Sequence, residues 1–267
     1  MKSTIQITFI LFILVSAVFA QKKNQSSSNS AKALIETMVS KTGNIQLLKK
    51  LRDVEFDYIF HNPKAKKSDI SKERYIFNGE VSWGEYTKHE VFVFPKDKEV
   101  VTQYYDSNEN SVVSLGTQKI TDSKILFNSK FLRKANYYWF TMMPKLLDPG
   151  IAYEQLPDRT YNSIDYKIVK IGYNQGVGDV QDDFVLYINP ETFLVDRFLF
   201  TVKGIGALGV SLMEIEYETV SGYTFMAKRK VIPSDWDGNI KGEILYEQTI
   251  TNVKFNNGFK KESLAQY

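Results

Sequence analysis

The sequence predicts a mainly β protein of the α+β class: a strongly curved antiparallel sheet, an incomplete barrel, with a few helices on its concave face. Three observations carry this. Apolar and polar residues alternate through long stretches, the stretches are joined by short turn-forming connectors, and helical spacing occurs only near the start and at mid-chain. Short connectors imply antiparallel neighbours, because parallel pairing needs a crossover of about a dozen residues or more.

Lys2, the apolar run Ile7 to Val15 and Val18-Phe19-Ala20 have the order of a secretory signal peptide, so cleavage is expected after Ala20. The run is interrupted by Thr8 and Ser16 and is short for a membrane span, which needs about 20 apolar residues. With no cysteine to carry a lipid, the mature chain is expected to be soluble, without a stable membrane anchor, and periplasmic or secreted. Residues 21-30, QKKNQSSSNS, offer nothing to bury and read as a flexible tether. A single domain is expected over 31-267, because no linker composition and no fixed-period repeat follows.

Ser30 is the expected N-cap of a helix through Ala33, Leu34 and Met38, which Thr42-Gly43-Asn44 ends. Ile45 to Leu51 fits a second short helix. Val54, Phe56, Tyr58 and Phe60 then alternate with Asp53, Glu55 and Asp57, the period of a strand with one wet face. Arg74 to Phe77, Val91 to Phe94, Val100 to Tyr105 and Ser111 to Leu115 follow as short strands. A mid-chain helix is expected from Phe127, Phe131, Ala135, Tyr138 or Trp139, and Met142, with Pro144 disfavouring helical geometry at Met143. The second half reads as strands over Ile164 to Tyr173, Phe184 to Ile188, Leu194 to Val202, Val210 to Val220, Tyr223 to Ile232 and Gly242 to Phe255. Asn189-Pro190-Glu191-Thr192, Ser221-Gly222 and Asp235 to Asn239 supply turns between them.

Composition excludes several chemistries. The 267 residues carry 34 basic and 31 acidic side chains, a net charge of +3, which removal of residues 1-20 lowers by one, Lys2. That balance gives no nucleic-acid surface. The absence of cysteine removes disulfides, iron-sulfur clusters, thiolate zinc sites and thiol nucleophiles. Gly204-Ile205-Gly206-Ala207-Leu208-Gly209 matches a dinucleotide fingerprint in letters, but a strand rather than a helix follows it, so it reads as a bend or hairpin. His61 and His89 have no ligand spacing; His61 reads as a surface turn residue and His89 as half of a solvated pair with Glu90. Asp179, Asp182 and Asp183 could offer calcium oxygens, although loop solvation and strand capping explain them more simply. No metal and no cofactor is expected.

The most unusual local composition is Tyr137 to Met143, where methionine and aromatics together suit a variable greasy ligand or the plug of a curved sheet. The candidate ligand-contacting residues are Trp139, Phe140, Met142, Met143 and Leu146, and no catalytic residue is assigned.

The early helix pair, the long strand series and the mid-chain helix together resemble the superfamily of the outer-membrane lipoprotein carrier (LolA/LolB-like). Tyr138-Trp139-Phe140, Pro144 to Gly150, Ile168 to Ile171 and Asp183 to Pro190 also look like uncharacterised exported bacterial proteins grouped with it. The resemblance covers most of 31-255 and is structural in its motifs, so no functional residue is carried over. It implies a non-enzymatic binding or carrier protein in the cell envelope. The expected partners are a lipid, acyl chain or lipoprotein lipid moiety, with envelope proteins as further partners. The alternatives are an envelope hydrolase or glycan-active enzyme using strand-borne carboxylates, and a non-catalytic, partner-binding sheet.

Overall fold

A computed structural model describes residues 27-95, 97-108, 110-174, 182-203 and 207-266. The expected signal peptide, residues 21-26, Asp179 and Gly204 to Gly206 lie outside them. Helix α1 spans 27-42 and α2 Ile45–Leu51. Six strands follow: β1 Asp53–Asn62, β2 Lys67–Ile76, β3 Val81–His89, β4 Val101–Tyr105, β5 Ser111–Leu115 and β6 Gln118–Lys119. Helix α3, Ser123–Lys145, comes next. The second series is β7 Ile151–Tyr161, β8 Ile164–Tyr173, β9 Phe184–Ile188, β10 Val195–Val202, β11 Ala207–Val220, β12 Tyr223–Ser234 and β13 Tyr246–Phe255, with α4 Lys261–Leu264 at the end.

All these strands form one curved, open antiparallel sheet in the order β6-β5-β4-β3-β2-β1-β13-β12-β11-β10-β9-β8-β7. Each neighbour is a hairpin partner except where β13 returns to β1, which joins the two strand series. The Ser221-Gly222 turn has positive φ at both positions, 53° and 80°, matching the twist that a two-residue hairpin requires. Asn189 Oδ1 accepts the N–H groups of Glu191 and Thr192, and Asp235 Oδ1 accepts those of Asp237 and Asn239, so both polar connectors are closed by their own first side chains.

Helix α1 buries Ala31, Ile35, Met38, Val39 and Thr42, one face of a 3.6-residue period. It already includes residues 27-30, so Ser30 is inside the helix rather than its N-cap. Gly43, at φ 101°, ends it, and its N–H reaches Val39 O at 2.9 Å. Asn44 then caps α2 by accepting Leu47 N–H.

Helix α3 is longer than expected and turned differently. Asp122 caps it through Ile125 N–H, and the buried stripe runs through Ser129, Arg133, Tyr137, Phe140 and Thr141 to Pro144. Phe127 is 70% exposed, because the ion pair of Arg133 orients the first half of the helix. Pro144 lies inside the last turn. It has no N–H for Phe140 O four residues back, and Tyr223 Oη donates to that carbonyl instead, at 2.8 Å.

The helix-bearing inner face holds three clusters. α1 and the end of α3 pack on β8 to β12 through Met38, Met142, Leu146, Leu186 and Phe198. Helix α2 and the middle of α3 pack on β1, β2, β12 and β13 around Phe140. The start of α3 packs on β3 to β5 around Val101 and Val113. On the opposite face Tyr166, Ile168, Tyr187, Leu199 and Leu212 form a further core, and Trp83 and Tyr104 are covered by Leu264 of α4.

Two further expectations are corrected. Val91 to Phe94 is a loop, because the Asp69 carboxylate accepts the N–H groups of Val91 and Phe92 at 2.8 and 3.0 Å. His89 is buried, not solvated with Glu90, and its ring nitrogens lie 3.0 and 2.8 Å from the carbonyl oxygens of Phe94 and Glu99. Strands β3, β6 and β7 were not anticipated. β7 forms one margin of the sheet, with a register shift around Pro157, and Ser27 Oγ bonds both the N–H and the C=O of Gln155.

Candidate functional site

Of the five expected ligand-contacting residues, four are sealed. Phe140 is the hub of an aromatic cluster: its ring stacks on Phe56 at 5.0 Å and on Phe225 at 5.7 Å, with Tyr75 and Tyr223 around its edges. Met142, Met143 and Leu146 are buried among side chains of α1 and β8 to β12, and Tyr153 Oη donates to Leu146 O. Trp139 alone keeps part of its surface. Its ring lies parallel to Phe198 at 6.1 Å and edge-on to Phe200 at 5.5 Å.

Polar groups also face inward, on β1 to β3, β12 and β13. Arg133 of α3 meets Glu73 of β2 through two bonds, 2.6 and 3.1 Å, and both side chains are wholly buried. The same guanidinium donates to Tyr86 Oη, while Ser71 and Tyr75 donate to Glu73. Burial works against the charge on Arg133, but the Glu73 carboxylate outweighs it and holds the guanidinium pKa above its ordinary value. Gly84 makes the approach possible, since a Cβ there would lie 2.2 Å from Arg133 Nη1.

Farther along the inner face, Arg229 of β12 lies opposite Gln248 of β13, and Gln248 lies opposite Phe60 of β1. Burial lowers the pKa of Arg229 and pushes that of the neighbouring Tyr58 phenol up to about 12. Phe60 touches Tyr246 at 4.7 Å and Phe92 at 4.9 Å between ring centres. Phe92 is 52% exposed, on the loop that Asp69 and His89 hold. The result is an aromatic cluster, partly in solvent through Phe92, whose Phe60 lies two strands across the sheet from a buried arginine.

The inner-face carboxylates of β2 are both engaged. Glu73 is held by Arg133 and Asp69 by backbone N–H groups, with burial raising the Asp69 pKa. Asp182 accepts from Thr201 Oγ1 and Lys203 N, and Asp183 meets Lys203 Nζ, so both tie the start of β9 to the end of β10. His61 pairs with Ser68 Oγ across the β1–β2 hairpin. Among the described residues no group of three or more potential ligands could hold a metal, and no helix is long and apolar enough to cross a membrane.

Sequence reasoning missed Arg133, Arg229 and the Phe60–Phe92–Tyr246 cluster. One signal was available for Arg229. In Lys228-Arg229-Lys230 three successive charges interrupt the alternation of β12, so one of them has to face inward.

Solved structures similar to the chain include a DUF1329 family protein from Desulfovibrio piger, at 14% identity and a TM-score of 0.53, covering 88% of this chain and 96% of that one. They also include a LolA superfamily protein from Nitrosomonas europaea, at 11% identity and a TM-score of 0.48, covering 85% and 94%. At such identities the likeness is one of fold. No curated protein matches the sequence. The model of the family of unknown function DUF6503 matches residues 7–235, most of the chain, and the protein belongs to that family.

Proposed function

We propose that the protein is an exported, non-enzymatic binding or carrier protein for a hydrophobic ligand in the cell envelope. The ligand would be a lipid, an acyl chain or the lipid moiety of a lipoprotein. The observation that carries the reading is the part-exposed aromatic cluster of Phe60, Phe92 and Tyr246. A half-exposed phenylalanine on an unanchored loop would mean little, but this loop is held in place by Asp69 and His89 over two inner-face aromatics. Each methylene that such a surface takes from water is worth about 0.8 kcal/mol, so partial enclosure of a chain gives useful affinity. Trp139 contributes from the far end of the inner face, and Phe140, Met142, Met143 and Leu146 form the floor that holds it.

Mass spectrometry of small molecules extracted from gently purified mature protein tests the reading. Recovery of acyl-chain compounds is expected. Export is tested on the same preparation: its N-terminus should fall at or within a few residues of Gln21, and an intact Met1 on a soluble product would refute cleavage.

The sealed packing around Phe140 and Leu146 favours a second reading, a filled, partner-binding sheet. Protein that yields no lipid and binds no fluorescent fatty-acid probe would decide for it.

A further inference from the structure

Three arginines are buried among the described residues, and they differ in what meets them. Arg133 has the carboxylate of Glu73. Arg197 has its guanidinium 3.7 Å from the centre of the Tyr161 ring, with Glu214 at 3.9 Å. Arg229, 3% exposed, has no carboxylate, and the one ring it faces, that of Tyr58, is farther off, at 5.7 Å. Its one hydrogen bond is a long one, Nη2 to Tyr58 Oη at 3.4 Å, and its Nε and Nη1 have no partner among the described residues. The Oε1 of Gln248, on the adjacent strand, has none either.

A buried cation without an anion costs several kcal/mol, so a side chain that only filled space there would not be arginine. The inner-face acids on β2 do not supply the anion. Glu73 is occupied by Arg133, Ser71 and Tyr75, and Asp69 by Val91 and Phe92 N–H. Arginine presents a planar fork of donors that matches a carboxylate or phosphate. The one residue between Arg229 and Phe60 across the sheet is Gln248, and Phe60 belongs to the part-exposed aromatic cluster.

We infer that Arg229 receives the oxyanion head of an acyl-chain amphiphile whose chain lies along Phe60, Phe92 and Tyr246. The inference rests on the proposed function and narrows its ligand to anionic amphiphiles. Gln248 and the Tyr58 hydroxyl flank the head, and the anion brings the charge that Arg229 lacks.

The test is displacement of a fluorescent fatty-acid probe by palmitate, palmitoyl lysophosphatidic acid and hexadecanol. It compares the wild-type chain with Arg229→Met and Arg229→Lys, with thermal unfolding measured on the same samples. Wild type should prefer at least one of the two anions to hexadecanol by about tenfold or more, and which anion is preferred tells carboxylate from phosphate. Arg229→Met should abolish that preference, leave hexadecanol binding unchanged and unfold at the same or a higher temperature. Arg229→Lys should keep part of the preference. Equal binding of hexadecanol and both anions by wild type overturns the role of Arg229 and leaves the carrier reading intact. Binding of none of the three overturns both. An Arg229→Met chain that unfolds earlier and loses hexadecanol as well shows a structural role and refutes the inference.

Discussion

The two halves of α3 are packed by different physics. From Ser129 to Arg133 the helix is fastened to β2 and β3 by a buried ion pair and its phenols, whereas from Tyr137 to Leu146 it lies on β1, β2 and β8 to β13 through aromatic and aliphatic contacts. The difference shows in what a substitution leaves behind. A truncated apolar side chain leaves a cavity, but a broken ion pair leaves a charge with nowhere to go. The polar half should therefore set the position of the helix and tolerate little, and the apolar half should supply graded stability.

The most damaging change is expected to be Arg133→Met, which strands the Glu73 carboxylate and should cost about 3–5 kcal/mol. Chemical denaturation measures it, and the double variant Arg133→Met, Glu73→Gln should recover most of the loss. A double variant as unstable as the single one would show that the pair is not the fastening. Phe140→Ala, at the centre of the other half, should cost about 3–5 kcal/mol by leaving a cavity among Phe56, Tyr75 and Phe225.

Tyr223→Phe removes only an oxygen, yet it leaves Phe140 O without the donor that replaces the missing N–H of Pro144. A loss of about 1–3 kcal/mol should follow, and Tyr223→Phe with Pro144→Ala should lose less than Tyr223→Phe alone. Trp139→Ala should destabilise less than Phe140→Ala, since Trp139 is only partly covered, while changing fatty-acid probe affinity several-fold. Unchanged binding in a folded Trp139→Ala, Met142→Ala variant would remove this end of the helix from the ligand surface.

The smallest effect is sought away from the helix, at Asp106. Burial pushes its carboxyl up, but Lys261, the Asn110 side chain and the N–H groups of Asn108 and Asn110 outweigh it and hold the pKa below its ordinary value. A depressed folded-state pKa contributes stability above the unfolded value, and that contribution is lost as pH falls through the folded one. The advantage of wild type over Asp106→Asn should thus be full near neutrality and shrink below about pH 4. An advantage that does not change with acid would refute the assignment. Because one sheet joins both strand series, all these variants are expected to unfold in a single cooperative transition. Proteolysis into two stable fragments near Asp148-Pro149-Gly150 would contradict that.

The strands most legible in the sequence are those whose inner residues are mostly apolar. Ile164–Tyr173 and Phe184–Ile188 follow their patterns residue for residue. β3 was hidden because its inner positions are Ser82, Gly84 and Tyr86, chosen for Arg133 rather than for greasiness, while Val81 and Trp83 are covered from the other side. Val91 to Phe94 alternates like a strand, but two hydrogen bonds to Asp69 take it out of the sheet. The greasy segment of α3 was legible as an unusual composition. Its face was not, because a helix oriented by one buried arginine does not follow its apolar residues.

The margin formed by β7 bears on how each molecule stays separate from its copies. Eleven extended residues at the end of an open sheet would ordinarily invite another chain to continue the ladder. Here Pro157 has no N–H to offer, the register slips beside it, and both backbone groups of Gln155 are already bonded to Ser27. The first turn of α1 thus acts as a chain terminator for sheet growth, and loss of that turn would expose a template for polymerisation.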